Sequence, residues 1–401
     1  MAENLRRWRI AMVVVPLLIA LPVAVAVVPP EPLSAPAHYI APTGNDANPC
    51  TLAQPCLTLP RAAALAQPGE TVLARGGIYM VTDTQDVTAT GLEGAPVWIT
   101  AYPGETALFT GYDAPLGQYE PVIRVSNSRW VILDRLSVCC SSGRGVSITN
   151  SQNVTLSRLV VSEIADRALG GNGDNITIEG NVVDRAVLNN MAREMPGGWS
   201  GAIASWTWPD GRASRNWNVV GNRVTRAYGE CYIALRLIGF TFRENFANGC
   251  YSVAMYVDGS SNGLIASNNL RATLEGFERG DRNAYGVLFA VEASGLQISP
   301  SYISVEDNVL GPGFDMGVHW WQDPANGGTW NTYHHLTIVR NRITGTAAYA
   351  AEFPRVAVNG DPPCCNVFSD NAISAGAVFE DFSAWTIERN GPPRDPGYPP
   401  R

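Results

Sequence analysis

The sequence contains no lysine. All 28 of its basic side chains are arginines, set against 36 carboxylates, and the formal net charge is −8. Such a chain lacks the basic surface that a nucleic-acid backbone demands, which argues against a nucleic-acid partner. The same acidity disfavours a strongly anionic polysaccharide as a ligand unless a bound cation bridges the two. Chemistry that needs a lysine amine is excluded.

Long apolar runs are absent except at the amino terminus. Three arginines within the first nine residues precede an apolar run over residues 10–28, which is the layout of an export signal. A small-x-small cleavage motif, APA, follows at 35–37. We therefore expect residues 1–37 to be a signal peptide or, if uncleaved, a membrane anchor. The rest of the protein is expected to be secreted or extracytoplasmic.

The Cys-x-x-Cys spacing of metal–thiolate sites is also absent, although the sequence has eight cysteines. In an exported chain, cysteines predict disulfides. We expect Cys50 to pair with Cys56 across a short turn-rich segment. A second bridge, between Cys231 and Cys250, is expected to join neighbouring repeats. Two further pairs are adjacent in sequence, and their partners, including vicinal disulfides, stay open: Cys139-Cys140 and Cys364-Cys365.

Extended helical periodicity is nearly absent, and a repeat takes its place. Seven segments share a frame in which an asparagine lies three residues after an apolar residue: Asn181, Asn222, Asn245, Asn268, Asn308, Asn341 and Asn371. Their spacing of 23 to 41 residues indicates one coil of about 22–23 residues with insertions. Two earlier segments place Asp134 and Leu159 at the asparagine position.

A coil of that length has room for three short strands and cannot bury a face alone, so stacked neighbours must supply the core. Asparagine suits the bends because it tolerates left-handed backbone angles, and stacked amides can bond from coil to coil. The repeat therefore predicts an all-β solenoid, a right-handed parallel β-helix, with a structural role for the asparagines. We expect a monomer with this domain over 38–386, a capping helix near LPRAAALAQ, and a disordered proline-rich tail over 387–401.

The segment 38–79 resembles the amino-terminal cap of the pectate-lyase-like right-handed β-helix superfamily. It carries YIAPTGND at 39–46, PGET at 68–71 and GIY at 77–79. Cys50 and Cys56 replace the usual glycine and aromatic positions. The resemblance implies the fold but leaves the activity open, because the superfamily includes lyases, hydrolases, epimerases and non-catalytic adhesins.

A second strand group follows the asparagine turns. We align it on five apolar residues, which period-two alternation then places inside the coil: Ile203, Ile233, Val253, Val287 and Val318. The same alternation points six more residues inward: Leu235, Leu237, Met255, Val257, Phe289 and Val291. The remaining positions face outward and mix aromatic rings, acids and one arginine: Trp206, Trp208, Arg236, Tyr256, Asp258, Glu292, His319, Trp321 and Asp323.

Exposed aromatic rings beside convergent polar groups are typical of sugar recognition. We predict that the outward face binds a polysaccharide through four of its side chains: Trp206, Trp208, His319 and Trp321. The alternative is that the insertions 189–201, 275–284 and 323–334 fold over this face and bury the tryptophans as additional core.

Three carboxylates, Asp258, Glu292 and Asp323, are expected on successive coils of one outward column. Neighbouring like charges would repel by roughly 3 kcal/mol at an effective dielectric near 20. A cation such as Ca²⁺, a shared proton or Arg236 could relieve this repulsion, so the trio is a candidate catalytic or metal site. The alternative is that these strand-ending acids are simply solvated.

Two reactions remain open for such a site. Glycoside hydrolysis needs a carboxylic acid and a carboxylate. β-Elimination needs a base, and without lysine the candidates are Arg236 and Tyr256, although an arginine base is chemically demanding. His319 could act as an acid or base, or only as a structural hydrogen-bonding group. A non-catalytic, cell-surface glycan-binding or structural solenoid is the alternative to both reactions.

Overall fold

The computed structural model describes residues 36–112, 114–280, 282–292, 298–321, 332–354 and 363–393. The predicted export segment lies almost wholly outside these residues. No described helix has the length and apolar character needed to span a bilayer. The chain from residue 35 onward forms one compact unit built of stacked coils.

Each full coil contributes one strand to each of three parallel sheets, as the repeat predicts. Sheet 1 contains Gln85–Val87, Pro121–Ser126, the first parts of Arg144–Ser157 and Leu169–Glu179, Gly201–Ser205, Glu230–Leu235, Val253–Asp258, Tyr285–Ala290, Met316–Trp321, Tyr349–Phe353 and Ala377–Phe379. Sheet 2 contains Ala37–Ile40, Thr71–Ala74, Val97–Ala101, Arg129–Asp134, the second parts of the two long strands, Ser214–Val220, Leu237–Arg243, Ser261–Ala266, Ser301–Glu306, His334–Val339, Asn366–Ser369 and Trp385–Glu388. Sheet 3 contains Gly77–Met80, Ala107–Thr110, Ser137–Ser141, Val160–Ile164, Val182–Ala186, Arg223–Ala227, Phe246–Cys250, Asn269–Arg271, Val309–Leu310, Arg342–Ile343 and Ala372–Ile373.

Helical structure is slight. The α-helix Leu59–Ala63 lies in the predicted capping segment, and the Thr58 side chain accepts a hydrogen bond from the Arg61 amide at its start. Two 3₁₀ turns, Leu188–Asn190 and Phe382–Ala384, complete the described helices. The right-handed parallel β-helix prediction is confirmed.

The predicted asparagine column is a continuous ladder between sheets 2 and 3. In each step the Nδ2 of one amide donates to the Oδ1 of the next at 2.8 to 3.1 Å, from Asn181 through Asn371. Asn390 adds a further step, so the last coil continues beyond the predicted domain end at residue 386. Buried amides bonded in this way need no water, which suits the interior of a solenoid.

The two residues predicted to precede Asn181 in this column have different outcomes. The Leu159 amide donates to Asn181 Oδ1 at 2.8 Å, so Leu159 occupies the ladder position as predicted. The placement of Asp134 there is wrong. The backbone pairing puts Leu136 at that position, while Asp134 is fully buried and bonded to Arg158 and Ser157.

The predicted register of sheet 1 is wrong at three consecutive pairings. Ile203 pairs with Tyr232, not Ile233. Ile233 pairs with Tyr256, not Val253, and Val253 pairs with Tyr285, not Val287.

A one-residue shift moves a side chain to the opposite face, so Ile233 and Leu235 lie on the outer face of sheet 1. Val253 belongs to the same outer cluster. Tyr232 takes the interior position because its hydroxyl donates to the backbone oxygens of Asn222 and Phe246, which satisfies the phenol inside the core.

The other predicted interior residues of this group lie in the core: Ile203, Leu237, Met255, Val257, Val287, Phe289, Val291 and Val318. Both predicted disulfides are present, Cys50–Cys56 and Cys231–Cys250. A vicinal disulfide joins Cys139 to Cys140, whereas Cys364 and Cys365 are not disulfide-bonded.

Candidate active site in a cleft on sheet 1

A cleft of about 1040 Å³ lies on the outer face of sheet 1. Its floor includes five residues of an apolar cluster that is separate from the solenoid core: Ile233, Leu235, Val253, Tyr256 and Leu288. One wall comes from the insertion before the strand Gly201–Ser205, through Pro196 to Ser200. Arg282 and Asn283, from the 275–284 insertion, line the cleft as well.

Two tryptophans of the cleft are accessible. Trp206 is 47% exposed and Trp321 is 36% exposed. The described insertions 189–201 and 275–284 therefore do not bury these rings, whereas most of the third insertion of that alternative, 323–334, lies outside the described residues. An exposed ring over an apolar floor is a surface on which the apolar face of a sugar can stack.

Six of the nine outward residues predicted from sequence line this cleft: Trp206, Arg236, Tyr256, Asp258, Glu292 and Trp321. Trp208 does not line it, and its ring lies 3.8 Å below the guanidinium of Arg212. Asp323 lies outside the described residues.

His319 also lies apart from the cleft lining. Its ring stacks on Tyr285 at a centroid distance of 5.1 Å, and Nδ1 lies 3.1 Å from the carboxylate of Glu352. Burial lowers the pKa of His319 to about 4, so the imidazole is neutral near pH 7. This neutral, stacked ring fits the structural alternative given for His319.

The predicted carboxylate column is wrong in register. Asp258 pairs with Ala290, which puts Glu292 two residues past the Asp258 position. The two acids nevertheless meet, because the Glu292 amide donates to Asp258 Oδ1 at 3.0 Å. The Tyr256 hydroxyl donates to Glu292 Oε1 at 2.8 Å. Hydrogen bonds to each carboxylate thus offset part of the repulsion between them.

The sequence interpretation missed Glu230, which lines the cleft and is 8% exposed. The indole Nε1 of Trp199 donates to its Oε1 at 2.6 Å. Its Oε2 is buried and makes no hydrogen bond with the described residues. Burial raises the pKa of Glu230 to about 8, and the charge of Glu292 adds to that rise. Glu230 is therefore mostly protonated at pH 7.

Arg167, also missed, is 3% exposed and lines the same cleft. Its Nε is buried without a hydrogen bond to the described residues, and its guanidinium lies 5.4 Å from the Trp206 ring centre. Burial lowers the pKa of Arg167 to about 10, and the neighbouring Arg144 adds to that fall. Arg144 itself bonds to Asp166 at 2.9 Å.

Both missed residues lie where a coil turns into sheet 1. Glu230 is the first residue of its strand, and Arg167 directly precedes Ala168 and Leu169 of the core. At such corners the alternation of inward and outward residues does not hold, so period two assigns them no face. The available signal was a charged residue directly before an apolar strand.

Carboxylate oxygens are the ligands that Ca²⁺ prefers. Asp258 and Glu292 could supply such ligands in the cleft. Within the part of the chain that the structure describes, however, no three acidic or histidine side chains of the cleft come close enough together for one ion. Calcium binding at this position stays a prediction.

Comparisons with known proteins agree with the architecture. The family model described as "Pel9A-like, right handed beta helix region" matches residues 38–198. An uncharacterized protein of Bacillus subtilis, YwoF, is 32% identical over 101 residues, which is 25% of this chain and 21% of the relative. Pectate lyase PEL9 of Emericella nidulans is 32% identical over 77 residues, 19% of each chain. The chain thus spans about a fifth of each curated relative.

Among solved structures, the GH136 lacto-N-biosidase from Eubacterium ramulus has a TM-score of 0.59 at 14% identity, over 89% of this chain and 67% of that one. Other structures similar in fold include both glycoside hydrolases and polysaccharide lyases. Similarity at this level of identity establishes the fold alone. The described chain has the pectate-lyase-like right-handed parallel β-helix fold, and residues 38–198 match the Pel9A-like family model.

Proposed function

We propose that this protein is an extracytoplasmic glycoside hydrolase that cleaves a polysaccharide in the sheet 1 cleft, with Glu230 as the general acid. The observation that carries the proposal is a buried carboxyl group that lines the cleft, and this burial raises its pKa to about 8. Trp199 occupies one of its oxygens, which leaves the other to hold the proton. A general acid for the leaving sugar oxygen needs that state.

Glu292 is the partner carboxylate in this proposal. The Tyr256 hydroxyl donates a hydrogen bond to its Oε1, and the charge of Glu292 adds to the rise in the pKa of Glu230. Two carboxyl groups in different environments can divide the acid and base roles. Glu230 donates its proton to the glycosidic oxygen as the C–O bond breaks, and Glu292 accepts a proton from the water molecule that attacks the sugar carbon from the opposite side.

Substrate binding rests on the apolar floor and the two accessible tryptophans. A pyranose ring has apolar faces and polar edges, so it can stack on Trp206 or Trp321 while its hydroxyls reach Asp258, Arg236 and Arg282. Many contacts of this kind along a cleft fit a chain of sugars better than a single small ligand. A polysaccharide substrate also agrees with the names of the relatives, among them a pectate lyase and a lacto-N-biosidase.

β-Elimination is the second candidate, and Arg167 is the observation that favours it. Burial lowers the pKa of Arg167 to about 10, so its guanidinium could act as the base at alkaline pH, while the charged guanidinium of Arg144 beside it neutralises the uronate carboxylate. The proposed hydrolase needs Glu230, whereas this reaction needs Arg167. Single substitutions can therefore separate the two.

Three disulfides fit a protein that works in an oxidising compartment. The predicted export segment points the same way.

The test is to incubate the purified protein with a panel of neutral and acidic polysaccharides, with and without Ca²⁺. New reducing ends without ultraviolet absorbance from an unsaturated product mean hydrolysis, and both signals together mean elimination. Retention of a glycan without either signal would mean a binding protein and would overturn the proposal.

A further inference from the structure

A second column of turns lies at the entrance to sheet 2, outside the core; we call it the outer corner column. Its residues follow one another on successive coils: Trp130, Asn153, Asn175, Asn216, Gly239, Asn262, Tyr302, His335 and Cys365. All have left-handed backbone angles, with φ between 53° and 74°. Asparagine and glycine, which adopt such angles most readily, fill it from Asn153 to Asn262.

In the middle of the column the side chains serve the fold. Asn175 Nδ2 donates to Asn153 Oδ1 at 3.0 Å, and Asn216 Nδ2 donates to Asn175 Oδ1 at 2.9 Å. The last three positions, Tyr302, His335 and Cys365, break this pattern, so this end of the column presents an aromatic ring, an imidazole and a thiol in place of amides.

The side chains at this end converge. A nitrogen of His335 and the sulfurs of Cys364 and Cys365 all lie within 4.8 Å of one another. Backbone bonds hold the two neighbouring coils together here, since the His335 amide donates to the Cys364 oxygen at 3.1 Å. Tyr302 stacks on the His335 ring at 4.5 Å, which fixes its plane.

We propose that His335, Cys364 and Cys365 bind one Zn²⁺ or Cu⁺ ion. Two thiolates and an imidazole are the ligands that these ions prefer, and the hard cations Ca²⁺ and Mg²⁺ do not take them. The ion ties two neighbouring coils near the carboxyl-terminal end of the solenoid. The site is separate from the cleft, and the proposal does not depend on the proposed glycoside hydrolysis.

His334 is not part of the converging group of ligand atoms. Its Nδ1 lies 3.1 Å from Nδ1 of His335, so a hydrogen bond between the two rings can orient the His335 imidazole. The two sulfurs lie 2.7 Å apart and must separate by about 1 Å to reach the sulfur spacing on one tetrahedral zinc ion. Cys365 is exposed, which leaves its side chain room to rotate.

The competing state is a vicinal disulfide between Cys364 and Cys365, like the one between Cys139 and Cys140. A disulfide offers no thiolate, so an oxidised pair binds no metal. The Cys139–Cys140 pair is a matched control, because no described histidine or acid completes a three-ligand group with it.

The experiment uses the full chain, gently reduced and freed of metal, with the reduced state of Cys364 and Cys365 verified by mass spectrometry. Zn²⁺ and Cu⁺ are titrated separately against colorimetric chelators, and Co²⁺ is added as a spectroscopic probe. We expect one ion per chain and a thiolate-to-Co²⁺ charge-transfer band.

His335→Asn and Cys365→Asn restore the residue that fills the column elsewhere, so both should fold. Each should weaken metal binding by at least ~100-fold and remove or shift the Co²⁺ band. A Cys139→Ser/Cys140→Ser variant should bind like the wild type. Reduced wild type that binds neither ion, or wild-type affinity in both Asn variants, would overturn the proposal.

Discussion

The asparagine ladder and a column of residues at the cleft lie on the same solenoid, but they differ in how their buried polar atoms are hydrogen-bonded. Each interior ladder amide bonds to the next, so its donors and acceptors are satisfied by repetition. At the cleft, Arg144, Arg167, Gly201 and Glu230 follow one another on successive coils without repetition. Buried atoms of Arg167 and Glu230 there lack a hydrogen bond to the described residues.

This difference indicates where a functional site lies in a repetitive fold. In a repeat, the same hydrogen-bonding arrangement of a buried polar group recurs on each coil, and this stabilises the stack. Where the repeat is interrupted and buried polar atoms lack a hydrogen bond, the folded state is destabilised unless a ligand bonds to those atoms. We therefore assign the asparagine ladder to folding and the column of residues at the cleft to function.

The largest effect is expected from a substitution of Glu230 in the cleft. Glu230→Gln keeps the size and the bond from Trp199 but removes the acidic proton. Turnover of the polysaccharide found in the panel should fall by at least ~100-fold, the usual range for a lost general acid. Because Glu230 stays protonated in the folded state but ionises on unfolding at pH 7, the substitution removes that penalty, and the free energy of unfolding at pH 7 should rise. Glu93→Gln, on an exposed turn, is the control and should keep full activity.

The second largest effect is expected from a substitution in the asparagine ladder. Asn268 Nδ2 donates to the Phe242 and Asn308 oxygens, and its Oδ1 accepts from Asn245. Asn268→Ala leaves these buried groups unpaired, so the free energy of unfolding should fall by about 3 kcal/mol. Asn175→Ala, in the exposed outer corner column, should cost under ~1 kcal/mol in the same denaturant titration. Equal losses would contradict the distinction between the inner ladder and exposed turns.

The pH dependence of the free energy of unfolding tests the raised pKa of Glu230. The pKa of Glu230 is raised in the folded state, so its contribution is fully present below about pH 4.5 and is lost as the pH rises to about 8. His319, whose pKa is lowered, acts in the opposite sense between pH 6.5 and 4. The wild-type curve minus the Glu230→Gln curve isolates the first effect. A flat difference between pH 5 and 8 would refute the raised pKa.

The smallest expected effect concerns the aromatic surface. Trp206→Ala should raise KM about tenfold with a smaller change in kcat, because ring stacking contributes roughly 1–1.5 kcal/mol. Trp98, which is 38% exposed on sheet 2, provides the matched control. An equal rise in KM for Trp98→Ala would mean that the tryptophan effect does not belong to the cleft.

The sequence predicted the fold well because the asparagine repeat is a local pattern with a direct structural meaning. It could not fix the register of sheet 1, where Tyr232 takes an interior position that an aliphatic alignment gives to Ile233. Because of that shift, the sequence analysis placed Ile233 and Leu235 inside the coil and did not predict the apolar floor of the cleft. Glu230 was beyond reach for another reason: its raised pKa depends on burial and on Trp199, which an insertion brings to it from 31 residues away.

The central claim is that Glu230 holds a proton at neutral pH, and infrared difference spectroscopy tests it most directly. Spectra of the wild type minus Glu230→Gln, recorded across a pH titration, isolate the carbonyl band of one protonated carboxylic acid. We expect that band at pH 6 and its loss with a midpoint near pH 8, in line with a pKa of about 8. A midpoint at the ordinary glutamate value, near 4.5, would contradict the account and remove Glu230 as the general acid.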